Sequence, residues 1–164
     1  MPVADVSSIA RTVGRCLSRR REIQAAYIFG SVARGRARPD SDIDVAVLVS
    51  PQARGVDPLA YRLGLMAELG SALRRPDVEV IVLNDAPPLL AHRVLSQGRL
   101  VYERSASTRI RFQVQTANRY ADLIPLYETH IRYLKKQVGK QRKSRPRSTR
   151  PAQARKARGR RVGG

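Results

Sequence analysis

Apolar residues recur along this chain with two different periods, and the switches between them lay out the elements. Val6, Ile9, Val13 and Leu17 step by three and four, which predicts an N-terminal helix reaching the Arg19-Arg20-Arg21 run. Ile23 to Phe29 is a compact apolar run that reads as a buried strand, and Ser31 to Arg36 is expected to open a short helix. Residues 37–41 are polar and contain Pro39, which makes them a turn. From Ile43 to Val49 the period becomes two: Ile43, Val45 and Val47 face one way, and Asp42, Asp44 and Ala46 the other. Asp57-Pro58 is a helix start, with Asp as N-cap and Pro at the first helical position. Leu59, Leu63, Met66 and Leu73 then supply the expected core-facing stripe, and Pro76 ends the helix.

Val78 to Leu83 reads as a third strand, residues 84–88 as a turn, and Leu89 to Gln97 as a helix stopped by Gly98. Leu100 to Tyr102 is a short strand. From about Ser107 to Val138 the helical period returns in Phe112, Thr116, Tyr120, Leu123, Tyr127, Ile131 and Leu134, with Pro125 expected to bend or interrupt it. Strands alternating with helices define an α/β or α+β domain. The aromatic stripe Phe112, Tyr120 and Tyr127 is read as packing on the sheet, with contact to a partner as the alternative.

Composition changes this picture mainly at the C-terminus. The 164 residues carry a formal net charge of +19, yet from Gly139 onward there are 11 Lys/Arg and no acid. The expected organisation is one domain over residues 1–138 and a disordered basic tail over 139–164. The tail's charge suits salt-dependent, non-specific contact with nucleic acid, and its lack of aromatics argues against reading of bases. Cys16 is the single cysteine, so an internal disulfide is excluded. No basic segment followed by a long apolar run opens the chain, and no apolar run has membrane-spanning length. A cytoplasmic protein without membrane contact is the expectation.

The chemistry concentrates between Tyr27 and Val47. Gly30 permits close backbone approach to a ligand, and Ser31 adds a hydroxyl at the start of the short helix, where free amides face a phosphate. Asp42 and Asp44 share a strand face; two carboxylates so placed repel one another unless a cation lies between them, and hard oxygen ligands suit magnesium. Taken alone, Gly-Ser is an ordinary turn and Asp-x-Asp an exposed polar face. Glu79, a charge inside the β-branched run Val78 to Val82, is the third candidate, and Asp77 a weaker one. His92 and His130 have no visible catalytic partner and read as surface or boundary residues.

In combination, Gly30-Ser31 followed ten residues later by Asp42-Ile43-Asp44 resembles the signature of the polymerase-β-like nucleotidyltransferase superfamily. Ala33-Arg34-Gly35, Ser41, the stretch Leu83 to Pro88, Gly98 to Tyr102 and Tyr120-Ala121-Asp122 look like its minimal nucleotidyltransferase (MNT) branch. The resemblance implies a small mixed sheet flanked by helices. It implies that Asp42, Asp44 and a third carboxylate hold two magnesium ions, while Gly30 and Ser31 hold the β- and γ-phosphates of ATP. The third position is usually Asp; here the matching residue is Glu79, one methylene longer, and a misplacement on the order of 1 Å changes rates by about a hundredfold. The branch further implies transfer of AMP to a tyrosine hydroxyl on a HEPN toxin partner. Two alternatives stand beside it: an adenylyltransferase acting on a small molecule such as an aminoglycoside, and a binding module that neutralises its partner, or binds nucleic acid, without turnover.

Overall fold

The computed structural model describes residues 6–35, 41–51 and 57–143. The expected turn at 37–41, apart from Ser41, and the basic stretch beyond Lys143 lie outside the described residues. The contacts divide the chain into two units, Met1–Ile124 and Pro125–Gly164.

In the first unit, α1 (Val6–Leu17) precedes β1 (Ile23–Phe29), the single-turn α2 (Gly30–Ala33), β2 (Ile43–Val49), α3 (Pro58–Leu73), β3 (Val78–Val82), α4 (Pro88–Gln97), β4 (Arg99–Glu103) and the start of α5 (Ala106–Lys143). The strands form one sheet in the order β3-β2-β1-β4. β1 pairs antiparallel with β2 and β4, and β2 pairs parallel with β3. This is the mixed sheet flanked by helices that the resemblance implied.

The period-two pattern of β2 works because both faces are covered. Ile43, Val45 and Val47 join Ile9, Val13 and Leu17 of α1 and Leu65 and Leu69 of α3 in one apolar cluster. Ala46 and Leu48 join Tyr27, Leu83, and Ala91 and Val94 of α4 in the other, against which Phe112 of α5 packs. α1 lies so close to β4 that a Cβ on Gly14 would stand 2.7 Å from the Val101 carbonyl oxygen. Asn84 closes the far end of β2: its amide donates to the Val49 carbonyl and accepts from the Val49 amide, both at 2.9 Å.

The Asp57 N-cap is present, its carboxylate accepting from the Leu59 amide at 2.9 Å, with Pro58 opening the helix. The expected stripe of α3 is corrected. Leu59 and Leu63 are more than half exposed, whereas Leu65 and Leu69 are fully buried and Met66 and Leu73 pack at the core's margin. A leucine-rich helix offers two apolar faces of similar spacing, and long-range contacts select between them. Here Arg20 grips Glu68 through Nε at 2.8 Å and Nη2 at 2.6 Å, turning the Leu65–Leu69 side inward.

Ser105 caps α5, its hydroxyl accepting from the Thr108 amide at 3.2 Å. α5 runs as one helix through Pro125 and ends five residues beyond Val138, so the proline does not interrupt it. Pro125 removes one donor from the ladder and leaves the rest of the helix bonded.

Candidate active site

β1 delivers its C-terminal end, and β2 and β3 their N-terminal ends, to the same edge of the sheet. In register, Asp44 lies opposite Phe29 on one side and Glu79 on the other. Glu79 precedes Ile81 by two residues, and Ile81 packs with the α4-side cluster, as do Ala46 and Leu48 that follow Asp44 on its own face. Asp44 and Glu79 therefore project from one face of the sheet on adjacent strands, about 4.8 Å apart at the backbone.

Gly30 takes φ 71°, in the left-handed region, as β1 turns into α2. A Cβ at this position would lie 1.9 Å from Asp44 Oδ2, so only glycine allows the carboxylate to approach the turn. Val32, 2% exposed, anchors the single turn of α2 in the core and leaves Ser31 partly exposed beside Gly30. Asp44 is partly buried, while Asp42 and Glu79 are exposed.

Burial raises the Asp44 pKa above its ordinary value, the charges of Glu79 and Asp42 raise it further, and Arg34 opposes them. Among the described residues, none hydrogen-bonds or ion-pairs with the carboxylates of Asp42, Asp44 or Glu79. Repulsion that no direct ion pair offsets is the condition under which a bound cation stabilises a site.

Asp77, the weaker candidate, is engaged elsewhere. Arg75 donates to it from Nε at 3.0 Å and from Nη2, and also donates from Nη2 to the Ser41 carbonyl at 3.0 Å. This ion pair, with the Ile43 amide donating to the Asp77 carbonyl at 2.9 Å, fixes the start of β2 against β3. Arg34 and Arg75 were given no role from the sequence; Arg34 comes near Asp44 through the pairing of β1 with β2, whereas Arg75 reaches Asp77 two residues along the chain. His92 is part-buried and stacks on Tyr120, ring centroids 4.1 Å apart at 16°, so it serves α4–α5 packing. The side chain of His130 lies outside the described set.

The donor set fits magnesium in part. Among the described residues, no three His, Cys, Asp or Glu side chains gather into a ready-made metal cage. Magnesium does not require one: it is commonly held by one or two carboxylates with phosphate oxygens and water as its other ligands. Asp42 and Asp44 would supply such oxygens, with Glu79 in register beside Asp44.

The family model described as polymerase beta, nucleotidyltransferase, matches residues 12–107, from within α1 to the first residues of α5. The chain belongs to this nucleotidyltransferase family. The nucleotidyltransferase is 34% identical to the protein adenylyltransferase MntA of Shewanella oneidensis over 102 residues, which cover 62% of this chain and 69% of that relative. Among solved structures, it resembles a toxin–antitoxin with AMP-PNP at 29% identity and TM-score 0.66, covering 76% of this chain and 97% of the other. It also resembles a chain from a complex of the tri-AMPylated Shewanella oneidensis HEPN toxin with its MNT antitoxin, at 27% identity and TM-score 0.62, covering 79% and 98%. The resemblance drawn from Gly30-Ser31 and Asp42-Ile43-Asp44 is thereby borne out at the level of family. No described helix is long and apolar enough to cross a membrane.

Proposed function

We propose that this nucleotidyltransferase transfers AMP from ATP to a tyrosine hydroxyl of a HEPN-type toxin, and acts as that toxin's antitoxin. The observation that carries the reading is the Asp44 carboxylate, set between the Gly30 turn and Glu79 with no hydrogen-bond partner among the described residues. The acceptor is supported by likeness to the antitoxin found with a tri-AMPylated HEPN toxin, and the nucleotide by likeness to the complex with AMP-PNP.

In this reading Gly30 and Ser31 hold the β- and γ-phosphates, the glycine by close backbone approach and the serine by its hydroxyl. Asp42, Asp44 and Glu79 would hold two magnesium ions, which when bound supply charge stabilisation at the α-phosphate and the departing pyrophosphate. Glu79 also accepts the proton of the attacking tyrosine hydroxyl. The tyrosine oxygen bonds to the α-phosphorus, the bond from that phosphorus to the α–β bridging oxygen of ATP breaks, and pyrophosphate leaves carrying that oxygen. Residues 1–138 form the catalytic domain, and the basic stretch 139–164 is an appendage to it.

The test incubates the full chain with magnesium, ATP labelled at the α-phosphorus and a HEPN protein encoded beside it, followed by mass spectrometry of that protein. Adenylylated tyrosine is expected with the native chain, and none with the Asp42→Ala, Asp44→Ala double variant. Label found on a small molecule instead, or equal neutralisation of the toxin by the double variant, would overturn the reading.

A further inference from the structure

The face of α1 turned away from the core carries Arg11 and Arg15, and Arg19 continues their file in the turn that follows the helix; all three are exposed and spaced i, i+4, i+8. Helical spacing of this kind makes a ridge about 12 Å long. Among the described residues, none hydrogen-bonds or ion-pairs with the three guanidinium groups. Of the carboxylates near the end of α1, Glu68 is held by two nitrogens of Arg20 and feels the charge of Arg19 without a direct contact, and Glu22 lies 3.4 Å from Arg20 Nη1. Across a groove of about 550 Å³ between α1 and β4, Arg99 faces the same opening as Arg11, over a floor that includes Ala10, Leu100 and Val101.

Helical surface arginines ordinarily alternate with acids at i±4, because like charges at that spacing destabilise a helix by a few tenths of a kcal/mol per pair. Arg11 and Arg15 carry that cost within α1, Arg19 adds a third like charge just beyond its end, and a polyanion laid along the file offsets it. We infer that this ridge is a docking surface for the sugar–phosphate backbone of double-helical nucleic acid.

The charge arrangement selects the partner. A duplex presents phosphates about every 3.4 Å of axis along each strand, so about 12 Å of ridge runs beside three or four of them. Arginine forks match phosphate oxygens bidentately. The groove lining contains no aromatic ring on which an unpaired base could stack, which favours a paired backbone over a single strand. The surface lies on α1, its following turn and β4, apart from the Asp44 turn, and the inference does not rest on the proposed adenylyl transfer.

The test measures affinity of the full chain for a DNA duplex of about 20 base pairs, the RNA duplex of the same sequence and the single strand, across a salt series. The Arg11→Gln, Arg15→Gln, Arg19→Gln triple variant is compared with an Arg62→Gln, Arg74→Gln, Arg93→Gln control, which removes the same net charge from exposed arginines elsewhere. The ridge variant is expected to flatten the log–log salt slope for both duplexes by about two to three units, near one for each phosphate that an arginine no longer neutralises. The control should leave the slope within about half a unit of the native chain, and circular dichroism should show all three proteins equally folded. Equal flattening by the control, an unchanged slope in the ridge variant, or a single strand bound as tightly with the same flattening would each overturn the inference.

Discussion

Replacing Asp44 by Asn should stabilise the metal-free protein, although it removes a residue of the proposed centre. Asp44 and Glu79 are in register on adjacent parallel strands. With the backbones about 4.8 Å apart, their carboxylates can separate to roughly 6 Å. Two unit charges at that distance repel by about 2.8 kcal/mol at an effective dielectric of 20 and about 0.7 kcal/mol in water. Glu79 is exposed, so the low end governs, and a gain of about 1 kcal/mol is expected. That corresponds to a rise of about 4 °C in Tm for a folded body of this size.

The pH dependence has a definite sign. The folded protein holds the Asp44 pKa above its ordinary value. The native state therefore favours the protonated form, and stability falls as pH rises through the folded pKa. The advantage of the Asn variant should be near zero in acid and grow toward neutrality. Magnesium should invert the order: at about a hundredfold excess over its dissociation constant it adds about 2.7 kcal/mol to a chain that binds it, and much less to the variant. Thermal melts with chelator and with magnesium, from about pH 4 to 8, measure all of this. A variant less stable than the native chain at neutral pH in chelator, or an equal magnesium shift in both, would refute the account of the cluster.

Three further outcomes follow from the same geometry. Gly30→Ala should lose nucleotide transfer by at least about a hundredfold, since its Cβ would overlap Asp44 Oδ2 at a backbone φ of 71°; steady-state labelling from ATP checks it, and retention of native activity would remove Gly30 from the site. Glu79→Asp keeps the charge but withdraws it by one methylene, a displacement of about 1 Å, so the transfer rate should change by up to about a hundredfold, while Glu79→Gln should fall further; equal rates in all three chains would exclude Glu79 from proton transfer. Asp57→Ala, which removes the bond to the Leu59 amide, should cost about 1 kcal/mol in urea unfolding with labelling activity unchanged.

Local chemistry left clear marks in the chain. The bounds of β1 and β2, the Asp57-Pro58 start of α3 and the stop at Gly98 follow from periodicity, capping and turn residues, and the structure has them at those positions. The meeting of the Gly30 turn with Asp44 was legible for the same reason: the two lie within fifteen residues, and the period-two spacing of β2 sets the face that Asp44 takes. Tertiary structure decided what depends on strand order and helix rotation. It set Glu79 beside Asp44, brought the Ser41 carbonyl to Arg75, turned Leu59 and Leu63 outward, and stacked His92 on Tyr120. Each of these joins residues whose one-dimensional pattern admits two placements: either acid of the Asp77-Val78-Glu79 stretch, or either leucine face of α3. Only contacts with other segments distinguish them, because period and propensity constrain the backbone locally while pairing and packing are settled between distant parts of the chain.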